Sequence, residues 1–263
     1  MSARRALKQR LVGTRLEGPL RSLRVAFKDE SCRQAVRYDT ETFEVIRRVV
    51  GPTSNCIDVG AAVGGILQNI VAAAPHGRHL AVEPLPENTA SLRARFPDVE
   101  IVEAALDDTQ GESSFERVDA STGYSGLIRR VDLAHDIKST TITVRRAKLD
   151  DLVPEDRPIR FIKIDVEGAE LRVLRGSRRI LESDRPYVVF ECGPAGCATY
   201  STAPGDVFDL LASCRLELSL MKRWLAGTPP FTREEFLALF ATRTEYYWIA
   251  YPGTGLADGE SSA

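Results

Sequence analysis

No stretch of the 263-residue sequence offers the roughly 20 consecutive apolar residues that a bilayer-spanning helix requires, so no membrane span is expected. The first residues also lack the unbroken apolar segment of a secretory signal, and the expected location is the cytoplasm. Cysteine is sparse. Cys32, Cys56, Cys192, Cys197 and Cys214 are too few and too scattered for a disulfide framework or a zinc site, and they read as buried thiols. Neither charge dominates: a formal net charge of -2 gives no general attraction to nucleic acid or to an anionic membrane, and no nucleic-acid partner is expected. With 43% hydrophobic and 27% charged residues, pervasive disorder and fibrous architecture are excluded. No internal repeat is present.

What is there is enough chain to bury one full α/β core with additions. The first stretch is basic, with Arg4, Arg5, Lys8, Arg10, Arg15, Arg21, Arg24 and Lys28 set against one carboxylate, Glu17. It reads as a solvated or packed arm, to which no binding role is assigned. Residues 1–50 are taken as this arm plus a helix, since Phe43, Ile46 and Val50 recur at helical spacing from about residue 39. Strands are expected at Cys56–Val59, His79–Val82 and Val99–Val102, with helices through Ile66–Val71 and Pro86–Phe96 between them. Alternation of this kind implies a mostly parallel sheet with helices on both faces, a Rossmann-like α/β fold. Residues 111–146 break the pattern and read as an inserted hairpin and loop. Strands resume at Arg160–Ile164 and Tyr187–Phe190, and later segments supply a helix over Val207–Leu211, a strand over Leu216–Leu220 and an antiparallel terminal strand over Tyr246–Ala250. The main domain is expected over 51–252, with a flexible Gly/Ser-rich tail over 253–263.

Between the first strand and its helix lies Asp58-Val59-Gly60-Ala61-Ala62-Val63-Gly64-Gly65. Glycine there permits a tight turn and close backbone approach to a ligand, and the following helix start can face an anionic group. Asp58, Gly60, Ala61 and Gly64 are therefore candidate cofactor residues. Glu83 ends the second strand, where a carboxylate can accept hydrogen bonds from both hydroxyls of a ribose. Asp107, after the third strand, can place a carboxylate or an amide near an adenine edge, or simply form a polar turn. An NAD site needs the same loop and acid, so an NAD-dependent oxidoreductase is the competing enzyme. Against it, the loop is not G-x-G-x-x-G and no separate substrate domain is evident.

A second motif, Phe161-Ile162-Lys163-Ile164-Asp165-Val166-Glu167-Gly168-Ala169-Glu170, sets carboxylates at the carboxyl end of an apolar strand, where open α/β sheets bind ligands. Glu170 is explained by helix capping; Asp165 and Glu167 are better site candidates. These runs, together with Glu83-Pro84, Leu149-Asp150-Asp151-Leu152, Leu174-Arg175-Gly176 and Pro186–Glu191, resemble the FkbM family of methyltransferases over roughly residues 53–192. The resemblance implies a class I methyltransferase fold, S-adenosyl-L-methionine as methyl donor, and transfer to an acceptor oxygen, often a hydroxyl of a sugar or secondary metabolite. It further implies that Asp58, Gly60 and Glu83 contact the cofactor. The family usually carries Asn after the loop alanine, where this chain has Ala62.

Methyl transfer to a hydroxyl requires alignment, exclusion of water and removal of a proton. The candidate bases are Asp165, Glu167 and His135, the last one of only three histidines and set in the inserted segment. Asp165 and Glu191 end neighbouring strands and form a candidate Mg2+ site, with a hydrogen-bonded carboxyl pair as the alternative. Tyr124, Ser125 and Trp224 are candidates for acceptor contact, with core packing the simpler role for Trp224. A non-catalytic binding module on the same fold is the remaining alternative; it would show little cofactor affinity.

Overall fold

The computed structural model describes residues 30–118, 126 and 139–253. The chain divides into two compact units, Met1–Glu41 and Thr42–Ala263. The described part of the first is the opening of helix α1 (Glu30–Val49), where Gln34 donates to the Tyr38 hydroxyl at 2.9 Å and Arg37 pairs with Glu41 one turn on. The helix begins well before residue 39, because Glu30–Arg37 carries too few large apolar residues, Val36 alone, for apolar periodicity to mark its start.

The second unit alternates as expected: β1 (Asn55–Val59), α2 (Gly65–Ala73), β2 (Leu80–Glu83), α3 (Pro86–Arg95) and β3 (Glu100–Glu103). A short β4 (Ala105–Leu106) leads into β5 (Gly111–Val118) and β6 (Ser139–Ala147), which pair antiparallel from Gly111↔Arg146 to Val118↔Ser139. This is the hairpin expected of the inserted stretch, and it forms a separate three-stranded sheet in the order β4-β6-β5. Then follow α4 (Leu149–Leu152), β7 (Ile159–Ile164), α5 (Glu170–Arg175), α6 (Arg178–Ser183), β8 (Tyr187–Glu191) and α7 (Pro194–Thr199). The last elements are α8 (Pro204–Ser213), β9 (Leu216–Ser219), α9 (Met221–Leu225), α10 (Arg233–Ala241) and β10 (Tyr247–Pro252). No described helix is long and apolar enough to cross a membrane.

The main sheet has the order β3-β2-β1-β7-β8-β10-β9, and only β10 runs antiparallel to its neighbours. Its central strands are buried on both faces, which is why Tyr187–Phe190 reads as a continuous apolar run and Phe161–Ile164 is interrupted only by Lys163. Ile57, Ile162, Val188 and Phe190 join Phe236 and Trp248 in one core, with the Phe236 and Trp248 rings edge-to-face at 4.7 Å. The indole N–H of Trp248 is satisfied by the Cys192 carbonyl at 2.9 Å. Helix α10 starts on a reciprocal cap, Thr232 accepting from the Glu235 amide and Glu235 from the Thr232 amide.

Chain direction across the sheet reverses between β1 and β7. In open α/β sheets the crevice outside the carboxyl ends at such a reversal is where ligands bind. Here it collects the ends of β1, β2, β7 and β8; the antiparallel β10 brings its first residue to the same edge, with Tyr247 opposite Glu191.

Candidate functional site

A cleft of about 200 Å³ opens at this edge, lined by Gly60 and Ala62 after β1, by Glu83, Leu85 and Asn88 around the end of β2, by Leu106 and Phe115, and by Asp165 and Glu167 after β7. Two sequence motifs separated by about a hundred residues thus line one cleft. Of the loop, Gly60 is the residue no side chain can replace. It has φ 75°, and a Cβ there would lie 1.9 Å from the Asp165 carbonyl oxygen, so the two motifs meet backbone against backbone. Gly64 also has positive φ, but a Cβ there would strike Leu92 and Phe96; it seats α2 on α3. Ala61 is buried beside Leu67, Ala81 and Leu92. Neither Ala61 nor Gly64 lines the cleft.

The loop amides do not point outward as expected of an anion cradle. Those of Gly60 and Ala61 donate to the Val82 carbonyl at 2.9 and 3.3 Å, Gly64 donates to Ala61 at 2.7 Å, and Ala62 donates to Glu83 Oε2 at 2.9 Å. Ala62 sits at φ 45°, in the left-handed region, where Asn is favoured over other non-glycine residues. Glu83, buried at the end of β2, accepts from Leu85 N and Asn88 Nδ2 through Oε1, both at 3.1 Å. Oε2 carries the single Ala62 bond and keeps acceptor capacity on a cleft-lining group. Burial raises the Glu83 pKa, against the hydrogen bonds from Asn88, Leu85 and Ala62.

Asp58 lies behind the cleft rather than in its lining. It is 2% exposed, and its Oδ2 has no hydrogen-bond partner. Burial raises its pKa to about 7 despite the nearby Lys163, while a backbone bond from Leu67 ties the carboxyl to the start of α2. Asp107 is likewise outside the lining. Its carboxylate accepts from the Asp108 amide at 2.7 Å and from Arg146 at 3.1 Å, Arg172 lies 3.7 Å away, and its own amide donates to Ala147. These bonds give it the polar-turn role, holding β4 against the end of β6.

At the other wall, Asp165, Glu167 and Glu191 bring carboxylate oxygens within 4.8 Å of one another. Asp165 Oδ2 accepts from Lys163 Nζ at 3.1 Å and from the Tyr247 hydroxyl at 2.5 Å, and Lys163 also reaches the Tyr247 oxygen at 3.2 Å. Burial opposes ionisation of Asp165, but Lys163, Tyr247 and a hydrogen bond from Glu191 outweigh it and hold the carboxyl below its ordinary range. Burial and the neighbouring Asp165, Glu167 and Glu170 push Glu191 well above its own. As a Mg2+ site the cluster is partly pre-empted: Asp165 Oδ2 already accepts from both Lys163 and Tyr247.

Glu170 caps its own turn, accepting from the Val166 and Gly168 amides at 3.2 and 3.1 Å; burial raises its pKa to about 7. That turn is tight because Gly168 (φ 111°) packs against Gly196 of α7, a Cβ on Gly168 falling 2.7 Å from Gly196 Cα. Cys192 and Cys197 are buried thiols 3.6 Å apart. Trp224 packs edge-on to Tyr187 at 5.6 Å, well inside aromatic stacking. His135, Tyr124 and Ser125 lie outside the described residues. Sequence reasoning missed Asn88, Lys163 and Tyr247. A lysine inside an apolar strand, two residues before a carboxylate and so on its face, was the available signal.

A doubly wound sheet with one antiparallel strand near its edge, carrying a glycine turn after β1 and an acid after β2, defines the Rossmann-like class I fold of S-adenosylmethionine-dependent methyltransferases. The sequence profile of the methyltransferase FkbM domain matches residues 58–217, and the chain belongs to that family. Among solved structures it is similar to the methyltransferase FkbM from Methylobacillus flagellatus KT, at 14% identity and a TM-score of 0.48, covering 84% of this chain and 59% of that one. A putative rRNA-methylase from Clostridium thermocellum matches at 8% identity over 82% of this chain and 96% of that one, with a TM-score of 0.45. Aeropyrum pernix fibrillarin, solved with natively bound S-adenosyl-L-methionine, matches at 13% over 81% and 76%, with a TM-score of 0.42. No curated protein matches the sequence.

Proposed function

We propose that this methyltransferase moves the methyl group of S-adenosyl-L-methionine to a hydroxyl oxygen of a sugar or secondary metabolite. The observation that carries the reading is the shared cleft, with Glu83 on one wall and Asp165 and Glu167 on the other. The cofactor supplies an activated methyl on a sulfonium; the chain binds, aligns and takes up a proton. Glu83 Oε2 would accept from the ribose hydroxyls, and the apolar Leu85, Leu106 and Phe115 in the same lining would hold the adenine. Gly60 lets the backbone approach, and Asp58, with its unpaired buried oxygen, anchors the loop from behind. Asp165 orients the acceptor hydroxyl and, with Glu167, receives its proton. No divalent cation takes part. Residues 51–252 form the catalytic domain with the 111–146 insertion, and the four described cysteines, all free thiols, suit the reducing cytoplasm.

The test is calorimetric titration with S-adenosylhomocysteine, followed by transfer of labelled methyl to a panel of hydroxylated glycans and metabolites with and without EDTA. Saturable binding and EDTA-resistant labelling of an oxygen are expected. NAD binding in place of S-adenosylhomocysteine would instead support an oxidoreductase, and binding of neither a non-catalytic module.

A further inference from the structure

The register of the sheet places one ammonium among the site's carboxylates. Lys163 on β7 pairs with Asp58 on β1 and stands two residues before Asp165, so all three side chains emerge on one face. Tyr247, opposite Glu191 on the antiparallel β10, arrives from the far side. Only 5% of the Lys163 side chain is exposed, and its Nζ lies 3.1 Å from Asp165 Oδ2 and 3.2 Å from the Tyr247 oxygen. Removing a buried cation's partner, or a buried anion's, leaves a charge that the interior cannot solvate. The carboxylates of such a cluster that stay ionised need positive charge beside them, from a side chain or a metal ion.

We propose that Lys163 is the resident cation of this site, standing where a divalent metal would otherwise bind, and that with Tyr247 it is the positioning residue that holds Asp165 toward the cleft. The proposal rests on the methyltransferase reading only for what Asp165 then does. Lys163 touches no substrate; it acts through Asp165, whose Oδ2 it shares with the tyrosine hydroxyl. Glu191 brings its carboxyl beside Asp165 from the end of β8. Three strand ends, of β7, β8 and β10, thereby meet around one carboxylate, which faces the cleft in a single orientation.

The experiment is a Mn2+ titration followed by electron paramagnetic resonance of the free ion, on the full chain, in wild type, Lys163→Arg, Lys163→Met, Glu191→Gln and Lys163→Met/Glu191→Gln. Wild type and the arginine variant are expected to show no specific site. Lys163→Met should acquire one of at least roughly tenfold higher affinity, lost again in the double variant. A wild-type Mn2+ site that Glu191→Gln abolishes overturns the proposal, and needs no lysine variant to fold. So does a folded Lys163→Met protein that binds Mn2+ no better than wild type. S-adenosylhomocysteine titrated in parallel separates the two readings: if wild type fails to bind it, the methyltransferase assignment falls while the Mn2+ result still decides the role of Lys163.

Discussion

Replacing Asp58 with Asn changes one buried carboxyl and leaves its shape. The wild-type group has its pKa raised by burial from the ordinary 3.8 to about 7, even with Lys163 nearby. A carboxyl whose pKa is higher folded than unfolded binds its proton more tightly in the folded chain, so its contribution to stability is full below pH 4 and is lost as pH rises through 7. At about 1.4 kcal/mol per tenfold change in proton affinity, a rise of about three pH units amounts to roughly 4 kcal/mol. The asparagine cannot titrate, so Asp58→Asn should lack this slope. Urea unfolding of both proteins at pH 4.5, 6 and 7.5 measures it: the variant should gain on wild type from pH 4.5 to 7.5 by about 3 kcal/mol of that total. Taking the difference between the two proteins cancels Glu170, whose pKa also rises to about 7 and which is present in both. Parallel stability profiles would refute the claim that Asp58 is buried at a cost, and with it the idea that an orphaned oxygen waits behind the loop.

Glu83→Gln puts an amide NH2 among the donors Ala62, Leu85 and Asn88 and removes the acceptor charge; S-adenosylhomocysteine should bind about 10- to 100-fold more weakly by calorimetry. Ala62→Asn suits a left-handed position that alanine occupies under strain, so thermal denaturation should show stability higher by up to about 1 kcal/mol; a loss would mean that φ 45° is relaxed for alanine here. Gly168→Ala meets Gly196 backbone at 2.7 Å with nothing able to retract, and the expected cost of 3 kcal/mol or more, about the upper range for overpacking, should appear as a large drop in urea midpoint.

Apolar periodicity was enough to locate the parallel core strands, because strands buried on both faces leave apolar runs such as Tyr187–Phe190. Glycine and acid at strand ends were enough to bring the Gly60 turn, Glu83, Asp165 and Glu167 to one cleft. Spacing along the chain does not say where a side chain turns once it leaves the backbone. Asp58 and Asp107 sit at strand ends as the ligand-binding pattern requires, yet one is buried beneath the loop and the other is held by Arg146. Tyr247 was hidden for a different reason. Its partner Asp165 lies 82 residues earlier, and only the antiparallel run of β10 carries it to the right edge. The left-handed backbone at Ala62 explains the family's asparagine there: the side chain is chosen for φ as much as for any contact.

The strand that completes the sheet is made after every other strand of that sheet. Until Tyr247–Pro252 emerges, β8 and β9 face each other across an empty slot, each with an unpaired row of amides and carbonyls. A nascent chain stopped short of that strand has an open gap between β8 and β9 and an Asp165 without its tyrosine, so the same six residues that close the gap also finish the sheet's active edge.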